Sequence, residues 1–166
     1  MTLDYARPFD SLWITKGIGG QKEVTIMTVR QFMNKHIVSL QPSATLREAA
    51  LKMQEKKIGS IIIEENMKIK GILTDRDIAL AVAADRKDAG STCVCDIMVQ
   101  DPITVDADAD LDSALRIMNR ANVRRLPVLE NGKLAGVISS ADVAQAMKGE
   151  LNQFMELEET YTSAKG

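Results

Sequence analysis

One segment of the chain occurs twice in the sequence, and this internal repeat constrains the fold more than any other sequence feature. One constant shift in residue number carries Gly71 onto Gly136 and Asp77 onto Asp142, in a register that runs from about Val29 to Ala84 without a gap. Further residues of the first copy also meet identical residues under this shift: Val29, Met33, Ala44, Leu46, Ala49, Met53, Glu65, Asn66, Lys68, Ala79 and Ala81. The repeat predicts two copies of one structural unit.

Each copy has the apolar spacing of a helix followed by two strands and a second helix. Apolar residues fall at i, i+3, i+4 and i+7, the buried stripe of an amphipathic helix, at Leu46, Ala49, Ala50 and Met53 and again at Leu111, Ala114, Leu115 and Met118. Two short β-rich runs follow, separated by Glu-Asn-Met in the first copy and by Glu-Asn-Gly, a favoured hairpin turn, in the second. A closing helix is predicted from Asp77 to about Ala84 and from Asp142 to Met147.

The predicted order is therefore short strand, helix, strand, strand and helix, twice, in an α+β fold. Each half is too small to bury much surface alone, so the sheets of both halves are expected to share one core. We place the first repeat at 28–90 and the second at 91–148. They are flanked by an N-terminal arm at 1–27 and by a helical tail at 149–166, whose apolar residues favour packing on the repeats or on a dimer partner.

Composition argues against several classes of function. A net charge of -2 and a pI near 5.5 give no general attraction to nucleic acid or to anionic lipid. No apolar run approaches the roughly 20 residues of a membrane span, and the N-terminus makes a poor secretory signal, so we expect a cytoplasmic protein. Cys93, Cys95 and the single His36 are too few for a metal site, and no activated nucleophile is evident. We expect neither an enzyme nor a metalloprotein.

The stretches GILTDRD at Gly71–Asp77 and GVISSAD at Gly136–Asp142 carry the candidate chemistry. Thr74 with Asp77, and Ser139 with Asp142, have the spacing of a capping box at a helix start. The same atoms suit a nucleotide, because a helix N-terminus favours a phosphate and a carboxylate can accept hydrogen bonds from the hydroxyls of a ribose. Spacing alone leaves both interpretations open.

The duplicated unit resembles a tandem pair of CBS domains, the Bateman module. The residues that carry the resemblance are DIM at Asp96–Met98, the alternation VRRLPVLENGKLAGVISSADV and the two G-h-h-[ST]-x-x-D motifs, and the match covers about Thr28 to Lys148. The resemblance implies two halves packed sheet against sheet about a pseudo-twofold axis, with two clefts between them. It also implies an adenosyl ligand (AMP, ADP or ATP, or else S-adenosylmethionine or NAD(H)), no catalytic cofactor, a homodimer and an unidentified regulated protein. A ligand-free structural dimerisation module is the alternative.

The resemblance also implies site residues, which we place across the two halves. In one cleft Asp77 would hold the ribose and Thr74 the phosphate, flanked by Val123, Arg124, Arg125, Leu126 and Pro127. In the other cleft Asp142, Ser139 and Ser140 would face Ile58, Gly59, Ser60, Ile61 and Ile62. Ser39 and Thr104, before the first helices, are weaker candidates for contact with the base.

The two clefts are expected to differ in charge. Arg124 and Arg125 offer guanidinium groups that can pair with phosphate, whereas Gly59 and Ser60 at the matching positions supply none. Adjacent residues of a strand point to opposite faces, so only one arginine needs to enter a cleft, and we predict Arg124.

Overall fold

The computed structural model describes residues 14–16, 23–25 and 27–163. The glycine-rich part of the N-terminal arm, at 17–22, and the last residues of the tail, 164–166, lie outside the described residues. Two strands of the arm are described, β1 (Ile14–Lys16) and β2 (Glu23–Thr25), and they pair antiparallel with each other. The sequence did not predict this small β-ribbon.

Both repeats contain the predicted strand, helix, strand, strand and helix in that order, and in each repeat they are preceded by short elements that were not predicted. The first repeat contains, in chain order, α1 (Val29–Phe32), β3 (Ser39–Leu40), α2 (Leu46–Lys56), β4 (Ser60–Glu65), β5 (Lys68–Thr74) and α3 (Asp75–Ala83). The second contains a short 3-10 helix (Val94–Asp96), β6 (Val99–Gln100), β7 (Val105–Asp106), α4 (Leu111–Ala121), β8 (Arg125–Glu130), β9 (Lys133–Ser139) and α5 (Ser140–Ser163). The α+β fold class is confirmed.

The strands of the repeats form two sheets, ordered β3-β4-β5-β6 and β7-β8-β9. In the first sheet β3 runs parallel to β4, while β4 and β5 form an antiparallel hairpin with a bulge between Ile63 and Glu64. The predicted Glu-Asn turns join the hairpin strands, and positive φ angles, which a type I′ turn requires, occur at both turn residues. These angles are 53° and 60° at Asn66 and Met67, and 51° and 74° at Asn131 and Gly132.

The first long helix of each repeat begins at a side-chain cap and ends at a residue in the left-handed conformation. The side chain of Thr45 caps α2 by accepting from the backbone N–H of Glu48, and Asp110 caps α4 by accepting from that of Ser113. Both helices end at a residue in the left-handed conformation, Lys57 and Asn122. The predicted stripe is buried in α2 except for Ala50, which is exposed at its edge.

The chain divides into two compact units that do not coincide with the sequence repeats, because each unit takes residues from both copies. One unit draws its residues from Met1–Met33, Asp106–Arg125 and Ile138–Gly166, and the other is Asn34–Val105 with Leu126–Val137. The second unit has an apolar core around Leu46, Met53, Ile63 and Leu73.

The short helix α1 is fastened to the start of α4 within the first unit. The backbone N–H groups of Val29 and Arg30 donate to the carbonyls of Ala109 and Ala107, at 2.9 and 2.8 Å. The backbone N–H of Leu111 donates in turn to the carbonyl of Met27 at 2.9 Å. These contacts join the first repeat's opening segment to the second repeat's first helix.

The closing helix of the second repeat differs from its prediction. We expected a helix that ends at Met147 and a separate helical tail from residue 149, but α5 continues without a break through Ser163. Gly149 does not stop it, since an interior glycine disfavours a helix by only about 1 kcal/mol relative to alanine, and no proline follows. No helix among the described residues combines the length and apolar character that crossing a membrane needs.

Candidate functional site

Thr74 and Asp77 form a complete capping box at the start of α3. The backbone N–H and the hydroxyl of Thr74 both donate to Oδ2 of Asp77, at 2.9 and 2.6 Å, and the backbone N–H of Asp77 donates to Thr74 Oγ1 at 3.2 Å. The capping interpretation is therefore confirmed at this motif. Oδ1 of Asp77 accepts no hydrogen bond from any residue that the structure describes.

The second motif repeats this geometry at the start of α5. The backbone N–H and the hydroxyl of Ser139 donate to Oδ2 of Asp142, at 2.8 and 2.5 Å, and the backbone N–H of Asp142 donates to Ser139 Oγ at 3.2 Å. Oδ1 of Asp142, like that of Asp77, has no partner within residues 27–163. Both carboxylates are half-buried, so each motif presents one unpaired oxygen at the start of a helix.

In the first repeat, the structure brings together four of the predicted site residues at one end of the β3-β4-β5-β6 sheet. Ser60, where β4 begins, is paired with Thr74, where β5 ends, and the backbone N–H of Asp75 donates to the carbonyl of Gly59 at 3.3 Å. Ser39 lies on the neighbouring strand, paired with Ile62. Ile61 and Ile62 are each only 1% exposed, so these two side chains are part of the apolar core.

In the second repeat, Arg124 lies beside the Ser139–Asp142 motif. The backbone N–H of Ser140 donates to the carbonyl of Arg124 at 2.9 Å. Arg124 is exposed and Arg125 half-buried, and among the described residues no ion pair or side-chain hydrogen bond holds either guanidinium. An arginine that no carboxylate neutralises is available to an anion.

The remaining predicted site residues differ in how far they are exposed. Val123 is partly exposed, and Leu126 and Pro127 are buried. Thr104 is half-buried just before β7, and Ile58 is half-buried just before β4.

Each motif also makes backbone contacts with the other repeat, through Gly71 and Gln100 in the first motif and through Val137 and Asn34 in the second. These partners are not the predicted ones, so the predicted pairing of each motif with the strand at 123–127 or at 58–62 of the other repeat stays a prediction.

Three residues that sequence reasoning missed lie at the second motif. Gln31 and Phe32 of α1, with Gln145 of α5, border the same depression as Asp142. The repeat contained a signal for Gln31 and Phe32, because the shift that relates the copies aligns them with Asp96 and Ile97 of the DIM segment. Gln145 carried no such signal.

The cysteines have the character of structural residues. Both Cys93 and Cys95 are free and half-buried. Burial raises the pKa of the Cys95 thiol, and the nearby charge of Asp96 raises it further, so this thiol stays protonated and is a weak nucleophile. Within the described part of the chain, no group of three or more His, Cys, Asp or Glu residues could hold a metal ion.

Comparison with known proteins gives both repeats the same family. The CBS domain family matches residues 29–84 and 94–149. The CBS domain-containing protein YhcV of Bacillus subtilis is 32% identical over 117 residues, 70% of this chain and 83% of that protein.

Two solved structures are similar in fold as well as in sequence. A crystal structure of Hypoxic Response Protein I with two coordinated zinc ions is 32% identical, with a TM-score of 0.64 over 72% of this chain and 98% of that one. The CBS domain pair of protein MJ0100, in complex with 5′-methylthioadenosine and S-adenosyl-L-methionine, is 26% identical, with a TM-score of 0.68 over 76% and 99%. With both repeats matched and the same fold found in solved CBS pairs, this chain belongs to the CBS domain family and contains a tandem pair of CBS domains.

Proposed function

We propose that the chain is a regulatory module that binds an adenosyl ligand at its two [ST]-x-x-D motifs and conveys the bound state to a partner protein. The observation that carries the proposal is the unpaired Oδ1 of Asp77 and of Asp142, next to an Oδ2 that caps the helix. A carboxylate arranged in this way can accept hydrogen bonds from ribose hydroxyls while the cap stays intact. Capping and ribose binding are therefore compatible in one side chain.

The Asp142 motif suits a phosphorylated ligand better than the Asp77 motif does. Arg124, with its unpaired guanidinium, adjoins Ser140 at the start of α5, where the positive end of the helix dipole favours an anion. Gly59 occupies the corresponding position beside Asp75 and carries no charge. We therefore assign AMP, ADP or ATP to the Asp142 site, and a less anionic compound such as S-adenosylmethionine to the Asp77 site, with NAD(H) as a further candidate.

The solved pair from MJ0100 supports the class of ligand, since that protein was crystallised with two adenosyl compounds. The proposal assigns regulation rather than catalysis to the chain, because a CBS pair is a regulatory domain. The alternative is a structural dimerisation module, which one observation favours: both capping boxes are complete without any ligand.

Ligand binding is expected to raise the melting temperature. A ligand that binds only the folded state stabilises it by about 2.7 kcal/mol at a concentration one hundred times its dissociation constant. Adenosine, AMP, ATP, S-adenosylmethionine and NADH should be compared in one thermal-denaturation series, with GMP as the control for a ribose phosphate whose base is not adenine. A rise with adenosyl compounds and not with GMP supports the proposal. Identical melting temperatures in all samples would favour the structural module.

We also propose that the chain is a homodimer, and expect a mass of twice 18.2 kDa at micromolar concentration. The helices α2 and α3 pack together, and each carries a leucine that is about half exposed, Leu51 at 53% and Leu80 at 50%. Covering such residues with a second copy removes apolar surface from water. Light scattering measures the mass, and Leu51→Glu should shift it toward the monomer. A wild-type monomer at this concentration would rule the dimer out.

A further inference from the structure

The Asp142 end of α5 borders a depression of about 430 Å³, which the proposed contacts to ribose and phosphate leave without a role. It is lined by Gln31 and Phe32 of α1 and by Asp142, Gln145, Ala146 and Gly149 of α5. The α5 residues follow i, i+3, i+4 and i+7, so they form one face of the helix. The depression thus runs along one face of α5 from Asp142 to Gly149.

The two glutamines that line this depression, Gln31 and Gln145, have side-chain hydrogen-bonding groups without a partner among the described residues. Oε1 of Gln31 accepts from the backbone N–H of Thr28 at 3.1 Å, which leaves the NH₂ of that amide as a donor. Gln145 is exposed, and its side-chain amide has no partner among residues 27–163. Donors and acceptors of the two amides therefore line the same depression as Asp142.

Phe32 supplies the apolar part of the wall. It is half-buried, so part of its ring remains exposed at the depression. An aromatic face of this kind can pack against a purine, whereas the amides can bond the polar edges of a base or the hydroxyls of a sugar. Together they match a nucleoside rather than a simple anion.

We propose that Gln31, Phe32 and Gln145 form a second wall of the Asp142 site and determine its preference for the nucleoside part of the ligand. Phe32 packs against the base, and the two amides bond the ribose or the polar edge of the base. This inference rests on the proposed function, since it names further residues of the same site.

The repeat shows why such a wall would distinguish the two sites. The shift that carries Asp77 onto Asp142 also carries Leu80 onto Gln145, and it aligns Gln31 and Phe32 with Asp96 and Ile97. The residues that correspond to this wall at the Asp77 site are therefore a carboxylate, an aliphatic residue and a leucine, in place of an amide, an aromatic ring and another amide. The two sites should consequently prefer different adenosyl ligands.

The test replaces Gln145 with the residue of the other copy. Gln145→Leu should weaken binding of both adenosine and AMP at the Asp142 site by about threefold to tenfold, measured by calorimetric titration. Phe32→Leu should weaken both by about twofold to tenfold. The ratio of AMP to adenosine affinity should stay unchanged in both variants, because neither side chain contacts the phosphate. Gln54→Leu, an exposed glutamine on α2, is the matched control and should bind like the wild type.

Failure of this inference is distinguishable from failure of the proposed function. If Asp142→Ala weakens nucleotide binding while Gln145→Leu and Phe32→Leu bind like the wild type, the second wall is wrong and the proposed function stands. If the wild type binds no adenosyl compound, both are wrong. Phe32 contributes to packing, so urea denaturation should first establish that Phe32→Leu is folded. If that variant is unfolded, the exposed Gln145 decides the question.

Discussion

Replacing Asp142 with alanine is expected to weaken AMP binding at the site beside Arg124 by about tenfold to 150-fold. The substitution removes Oδ1, the unpaired acceptor for the ribose hydroxyls, and hydrogen bonds to a charged group contribute about 1.5 to 3 kcal/mol. It also removes the carboxylate half of the capping box of α5, while the Ser139 hydroxyl still caps the backbone N–H of residue 142. The free energy of unfolding should therefore fall by about 0.5 to 1 kcal/mol. Calorimetry measures the first effect and urea denaturation the second.

The matched control is Glu48→Ala, which removes the carboxylate half of a capping box away from the proposed ligand sites. Glu48 accepts from the backbone N–H of Thr45 at the start of α2 at 2.7 Å. Its loss should lower stability by a similar amount, about 0.5 to 1 kcal/mol, and leave AMP affinity unchanged. If Asp142→Ala and Asp77→Ala both lower stability and leave AMP affinity unchanged, as the control does, then both motifs only cap helices. That result would favour the structural dimerisation module.

A double-mutant cycle tests which aspartate shares a site with Arg124. The hydrogen bond from Ser140 to the Arg124 carbonyl leads us to expect coupling between Arg124→Ala and Asp142→Ala in AMP affinity. The sequence-based prediction placed Arg124 with Asp77 instead. Coupling with Asp77, and additive effects with Asp142, would support that pairing across the repeats.

Gly71→Ala is expected to lower the free energy of unfolding by about 1 to 3 kcal/mol, because the added methyl group has no room. A Cβ at Gly71 would stand 2.5 Å from Sδ of Met98 and 2.8 Å from the backbone oxygen of Val99. The methionine can turn away, but the oxygen belongs to β6, whose residues Val99 and Gln100 pair with Ile72 and Gly71. The strand itself would have to shift. Urea denaturation measures the loss as a lower midpoint.

Gly149→Ala provides the opposite case in the same protein. A Cβ at Gly149 meets nothing within 4 Å, and the residue lies inside α5. Alanine should therefore raise stability by about 0.5 to 1 kcal/mol, the usual difference between the two residues in a helix. If both substitutions changed the urea midpoint in the same direction, close packing at Gly71 would not be the cause.

Features that depend on residues close together in the chain could be predicted from the sequence. The capping boxes at Thr74–Asp77 and Ser139–Asp142 join residues three apart, and the Asn66 and Asn131 turns join adjacent strands. The periodic stripe predicted α2 and α4 for the same reason, since residues three and four apart share a helix face. The order of elements followed once the unit was seen to be duplicated.

One local prediction was wrong. The closing helix was expected to end at Met147, before a separate helical tail, yet α5 runs through Gly149 without a break. The difference between glycine and alanine in a helix is about 1 kcal/mol, too little to end a helix that the neighbouring residues favour. A helix end needs a stronger device, such as the left-handed residue at Lys57 or Asn122.

Contacts between residues far apart in the chain were decided only by the tertiary structure. Phe32 and Gln31 lie beside Asp142 although more than a hundred residues separate them, and the bonds from Val29 and Arg30 to Ala109 and Ala107 hold α1 there. Similarly, which residue faces Thr74 depended on the register of the β4–β5 hairpin and on its bulge at Ile63. Such contacts follow from how apolar faces are buried together, and local spacing carries no record of that packing. The sequence alone thus determined the duplicated unit and the aspartate in each of its two capping boxes, whereas the tertiary structure decided which side chains surround each of them.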